Sequence, residues 1–210
     1  MNIITANPAK PLTSAADVAA WLDEQNIPFT DVATLNWAKE FPLKPSFKVR
    51  VARTADALVL NYRVQEPAVR AVADVDCGAV WEDACAECFI KAPEDAGYYN
   101  IECNCIGTLL IAYGQGREAR QPLEVEALKA VKRYASLGRT PFEVRKEPTT
   151  WELSLIVPFA LLPHLHDDGQ RTDYVGNIYK CGDKLPEPHF VTLYPIDVPS
   201  PDYHRPEFFQ

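Results

Sequence analysis

Eighteen prolines are spread through the 210 residues of this chain, well above the usual ~5%. Proline fixes φ and has no backbone donor, so it is kept out of helix interiors and central strands and collects in loops and at strand edges. A globular chain punctuated in this way has little room for long helices and leans towards many short strands. Its hydrophobic fraction of 47% and charged fraction of 24% are those of an ordinary globular protein. A chain of this length buries roughly 70% of its unfolded surface, enough for a core that needs neither disulfides nor metal.

Twenty-one basic residues stand against 29 acidic ones, a net charge of −8. That balance disfavours nucleic acid and anionic membrane surfaces, where basic patches supply most of the affinity. No run approaches the roughly 18 apolar residues of a membrane-spanning helix. The opening residues, MNIITANPAKPLTSAADV, lack the basic-then-apolar order of a secretory signal. The expected location is therefore cytoplasmic, or secreted or periplasmic if the chain is a processed form. Under the first reading the six cysteines are free thiols.

Hydrophobic spacing places the elements. Ser14 and Asp17 resemble a capping box, and Val18, Trp21 and Leu22 follow at helical spacing, so a short helix is expected over 14–24. From Lys44 the period becomes two. Phe47, Val49 and Val51 alternate with Lys48 and Arg50, and Leu58, Leu60, Tyr62 and Val64 alternate after a turn at 54–56. This reads as a β-hairpin. Strands are expected over 85–90 and 98–110, with turn chemistry at 92–97. A short helix is expected over 123–134, and a second hairpin from 142–144 and 151–157. Short extended pieces follow at 176–179 and 189–194, and a last strand within 201–209. Many short strands separated by turn signals argue for a sandwich or barrel.

The segments VWEDACAECF (80–89) and YYNIECNCIG (98–107) carry the most chemistry. Taken as antiparallel neighbours, their side chains alternate between core and open face. Ala86, Cys88 and Ile90 match Tyr99, Ile101 and Cys103 on the apolar side. Asn100, Glu102 and Asn104 share the other face of their strand, and the match puts Glu87, Glu102 and Asn104 together there, with Trp81 and Asp83 at the entrance. An aromatic plate beside carboxylates and amides suits a sugar. The C–H face of the sugar packs on an indole, and its hydroxyls need donors and acceptors.

Trp81, Asp83 and Glu87 in the pattern W-x-D-x-x-x-E resemble the motif of family 9 carbohydrate-binding modules. The chain as a whole resembles the stand-alone family 9-like proteins of Bacteroides-type bacteria. The matching pieces are Asn36-Trp37, the two segments above, Trp151 with IVPF (156–159), GNIYKCGD (176–183), PHF (188–190) and PDYHRPEFF (201–209). The resemblance implies an all-β, jelly-roll-like sandwich with one or two short helices. Residues 36–210 would form it, and residues 1–35 would be an extension whose helix packs on the body. It implies binding of glycan reducing ends between two tryptophans, with no cofactor. Sandwiches of this type can also hold structural calcium through oxygen ligands. Trp81 matches the first tryptophan and Glu87 the first acidic contact, with Glu102 and Asn104 as further hydroxyl contacts. Lys180, Asp183 and His189 lie in family-like segments that could line the same face. Leu193 stands where the second tryptophan is expected, with Tyr194 beside it.

Other readings of the same residues stay open. Glu87, Glu102 and Asp83 could be the acid and base of a glycosidase, whose carboxyls stand ~5–9.5 Å apart, or solvated strand residues, or calcium ligands. The family 9-like sandwich could also be a protein-interaction scaffold with a vestigial sugar site. A zinc site built from Cys85, Cys88, Cys103 and Cys105 is disfavoured, because Cys85 and Cys88 point to opposite faces of a strand. The run His164, His166, Asp167 and Asp168 reads as a solvated loop.

Overall fold

The computed structural model describes residues 4–6 and 12–210. The parts of the expected N-terminal extension at 1–3 and 7–11 lie outside the described residues. Fifteen strands run in chain order among those described. They are β1 (Ile4–Thr5), β2 (Thr30–Asp31), β3 (Thr34–Leu35), β4 (Ser46–Arg53), β5 (Ala57–Glu66), β6 (Val69–Ala71), β7 (Cys85–Lys91) and β8 (Tyr98–Asn104). After these come β9 (Leu109–Gly114), β10 (Gln121–Pro122), β11 (Lys132–Ala135), β12 (Phe142–Arg145), β13 (Thr149–Pro158), β14 (Val175–Cys181) and β15 (Phe190–Thr192). The first sheet has the order β1-β4-β5-β13-β11, with β2 also on β4. The second runs β10-β9-β8-β7-β14-β15-β3, and β12 pairs with β6 apart from both.

The alternation read from the sequence is what joins the sheets. Phe47, Val49, Leu58, Leu60, Tyr62, Leu153 and Leu155 from the first sheet meet Ala86, Cys88, Ile90, Ile101, Cys103, Ile111 and Ile178 from the second in one buried cluster. The result is the expected all-β sandwich. The helix α1 (Val18–Glu24) follows a 3-10 turn at Ala15–Asp17, which Ser14 caps through a bond to the Ala16 amide. Its Val18, Trp21 and Leu22 pack on the back of the first sheet against Ala52, Val59 and Ile156. No helix among the described residues is long and apolar enough to cross a membrane.

Four expectations need correction. The stretch 98–110 is two strands, β8 and β9, not one. Gly107 adopts φ +83, and the Asn104 side-chain carbonyl accepts bonds from the Ile106 and Thr108 amides at 3.3 and 2.9 Å, which folds the chain back on itself. The stretch 123–134 is helical over only one turn, α2 (Val125–Leu128), before entering β11. A helix this short gains little by itself, and pairing of β11 with β13 prevails. The strand β12 pairs with β6, while β13 lies between β5 and β11. The C-terminal segment is not a strand. It crosses the outer face of the second sheet and ends in a 3-10 turn at Pro206–Phe208.

That last segment is held tightly. Tyr203 stacks on Tyr179 at 4.2 Å, and its hydroxyl donates to the Lys180 carbonyl at 2.9 Å. Gln210 and Gly176 exchange both backbone bonds. Gly176 is required where β14 passes β7, since a Cβ there would stand 2.1 Å from the Phe89 carbonyl oxygen. The C-terminal residues thus cover one part of the outer face and leave the rest open.

Candidate functional site

The open part of that face is a cavity of about 430 Å³, within the roughly 300–1,000 Å³ range of small-molecule sites. Strands β7, β8 and β9 supply its floor, with Glu87, Phe89, Asn100, Glu102, Leu110 and Ala112. The loop after β9 supplies Arg117 and Arg120. Asp183 and Phe190 come from the β14–β15 region, and Asp202, Tyr203 and His204 from the C-terminal segment.

Trp81 stands on its rim. It sits in a 3-10 turn, Val80–Glu82, anchored by the fully buried Val80. Its carbonyl accepts from the Asp183 amide at 3.3 Å and the Cys181 thiol at 3.4 Å. The backbone is therefore fixed while the indole is 39% exposed, and among the described residues no ring packs on it.

Glu87 and Glu102 are directly opposite one another on β7 and β8, and both are buried. Like charges in that position repel. Glu87 receives a bond from the Cys181 thiol at 2.8 Å, and Glu102 one from the Asn100 amide at 2.7 Å. Neither has a protein partner at its second oxygen among the described residues. Burial first, then the neighbouring Cys181 and Glu102, raises the Glu87 carboxyl well above its ordinary range. Burial pushes Glu102 up to about 7, despite Asn100 and Arg120. Burial, with Glu82 nearby, pushes Asp183 up to about 6. Near neutrality the pair therefore retains protons and offers both donors and acceptors, the mixture a hydroxyl-rich ligand needs.

A cation is held close without neutralising the pair. Arg120 lies over the Tyr98 ring at 4.2 Å and donates to the carbonyls of Tyr98, Ala112, Gly114 and Gly116. Its Nε donates to the Asn100 side-chain oxygen at 2.8 Å, so Asn100 bridges guanidinium and carboxyl. His204 shares a 2.8 Å bond with the Tyr98 hydroxyl. Burial, reinforced by Arg120 and Arg117, lowers His204 to about 3 and keeps it neutral.

The remaining expected residues lie elsewhere. Asp83 is fully buried and takes bonds from Arg70, the Val72 and Ala73 amides and Asn104. Asn104 spends its amide on Asp83 and the Ala73 carbonyl. Both are outside the cavity and brace the loop that carries Trp81. Lys180 pairs across the sheet with Ala86, so it points inward, where it meets Glu66 at 2.9 Å and His189 at 3.0 Å. His189 lines a separate cavity of about 220 Å³. Leu193 packs on the main core, and Tyr194 is half-buried away from the cavity. His164 stacks on Tyr113 at 3.8 Å, and Asp167 pairs with Arg53.

Sequence reasoning left Arg120, Cys181, Phe190 and His204 out of the site. Each reaches it through long-range pairing that no local spacing reports. The nearest signal was the family-like segments around 176–183, 188–190 and 201–209.

Residues 16–210 match the profile described as carbohydrate-binding family 9. A Bacteroides uniformis protein, provisionally described as carbohydrate-binding, is 38% identical over all of this chain and 95% of its own, and its crystal structure superposes with a TM-score of 0.91. A family 9 module from Caldicellulosiruptor kristjanssonii in complex with cellotriose is 8% identical, with a TM-score of 0.53 over 91% of this chain and 83% of that one. A family 9 module of that organism in complex with glucose is 9% identical, with a TM-score of 0.50 over 99% of this chain and 92% of that one. At such identities these two likenesses concern the fold. No curated protein matches the chain.

Proposed function

The chain belongs to carbohydrate-binding family 9, and we propose that it holds a glycan, without cleaving it, in the cavity on the outer face of the second sheet. The observation that carries this reading is the half-exposed Trp81 beside two buried, opposed carboxyls on the floor. A sugar ring lies with its C–H face on the indole and its hydroxyl edge towards Glu87 and Glu102. A protonated carboxyl donates to one hydroxyl and a carboxylate accepts from another. Phe190, in the cavity wall, supplies an aromatic surface that Leu193 does not.

The ligand is a glycan end, as the family resemblance implies. The cellotriose and glucose complexes of the structural neighbours make gluco-oligosaccharides the first to try. Calorimetric titration should show saturable binding of an oligosaccharide. Reducing its terminal residue to the open-chain alditol should weaken binding at least tenfold. Equal affinity for both forms would remove the end-recognition part. Absence of binding across a broad panel of mono- and oligosaccharides would remove the carbohydrate reading.

A further inference from the structure

At the floor of the cavity lies a donor set of which the proposed glycan site uses only Glu87. Cys181 is paired directly with Cys85 across β14 and β7. Glu87 follows Cys85 by two residues on β7, so it shares the same face. The two sulfurs and a Glu87 carboxyl oxygen all lie within 4.8 Å of one another. In a tetrahedral zinc site with Zn–S near 2.3 Å, two sulfurs sit roughly 3.8 Å apart. All six cysteines are unpaired.

We infer that Cys85, Cys181 and Glu87 form a binding site for a thiophilic divalent cation of the zinc class. Two thiolates and a carboxylate are the soft-plus-borderline donors such a cation takes, whereas calcium and magnesium require oxygen alone. Strand pairing fixes all three side chains before the metal arrives. The fourth position faces the cavity, which Cys181 and Asp183 both line. Without metal the thiols stay protonated, since burial raises both above their ordinary range. Binding exchanges the two thiol protons, and the proton that buried Glu87 retains, for the cation, and all of them leave to solvent. The site shares Glu87 with the proposed glycan site and does not depend on it. A metal on Glu87 occupies an acceptor that a sugar hydroxyl would use, so the two ligands compete.

The test is titration of the reduced full-length protein with Cd²⁺, following the ultraviolet absorption of cadmium-bound thiolates, with Zn²⁺ as competitor. The expected result is an equimolar, saturable absorption that Zn²⁺ displaces. Cys85→Ser and Cys181→Ser should abolish it. Glu87→Gln keeps both thiols and should weaken cadmium affinity at least tenfold. Cys77→Ser, which removes the half-buried thiol outside the set, should leave the absorption intact. No absorption in the wild type, full affinity in Glu87→Gln, or loss in Cys77→Ser would each overturn the assignment. None of these results depends on whether a glycan binds.

Discussion

Asp83 and Glu87 lie four residues apart, and both are buried, but the fold treats them differently. The oxygens of Asp83 are taken up by a guanidinium, two backbone amides and the Asn104 side chain. Charge-assisted bonds of this kind make a buried carboxylate stable where it is. Glu87 has a single thiol as donor and faces another carboxyl across the strand pair. One is a bracket that holds the Trp81 loop. The other is kept short of partners at the floor of a cavity. On the proposed reading, two acidic residues of one motif divide the work between holding the site and contacting what enters it.

Substitutions at the two positions should separate these roles. Asp83→Ala leaves Arg70 without its partner and two amides unsatisfied, and should cost about 3–5 kcal/mol. That is a large part of the roughly 5–15 kcal/mol holding a domain together, and a urea unfolding curve would show it. Glu87→Gln replaces a buried carboxyl that ionises only at a cost with a neutral amide of the same shape, so the unfolding midpoint should hold or rise while glycan affinity falls roughly 10- to 100-fold. Equal destabilisation by both changes would erase the distinction.

A smaller effect concerns pH. The Glu102 carboxyl is raised from an ordinary 4.5 to about 7, chiefly by burial. A carboxyl raised on folding favours the folded state fully below its unfolded value, and that contribution is lost as pH rises through the folded one. The melting temperature should therefore fall between about pH 5 and pH 8. In Glu102→Gln the fall should be shallower. An unchanged slope would mean that the pair is not under strain.

Much of this was legible in the sequence because strand alternation is a local property. The faces of β7 and β8 follow from their residues alone, and with them the convergence of Glu87 and Glu102. The β4–β5 hairpin was legible for the same reason. Lys180 shows the limit. Its neighbour Cys181 faces the cavity, so Lys180 must face inward to Glu66, and without the register of β14 against β7 either assignment was open. Asn104 shares a face with Glu102 by alternation, as expected, but its bond to Asp83 comes from a turn just beyond the strand. Arg120 and His204 reach the site from a loop and a terminal segment, where no period exists to extrapolate.

The central claim is that the carbohydrate site is the cavity beneath Trp81. Trp21, Trp37 and Trp151 are buried and Trp81 is 39% exposed, so a ligand-induced change in tryptophan fluorescence should originate from Trp81. Titrating wild type and Trp81→Ala with the same oligosaccharide, with matching circular dichroism spectra as the check on folding, tests this directly. The account predicts a saturable change in the wild type and none in the variant, together with loss of calorimetric binding. Full affinity in a folded Trp81→Ala protein would place the site elsewhere and contradict it.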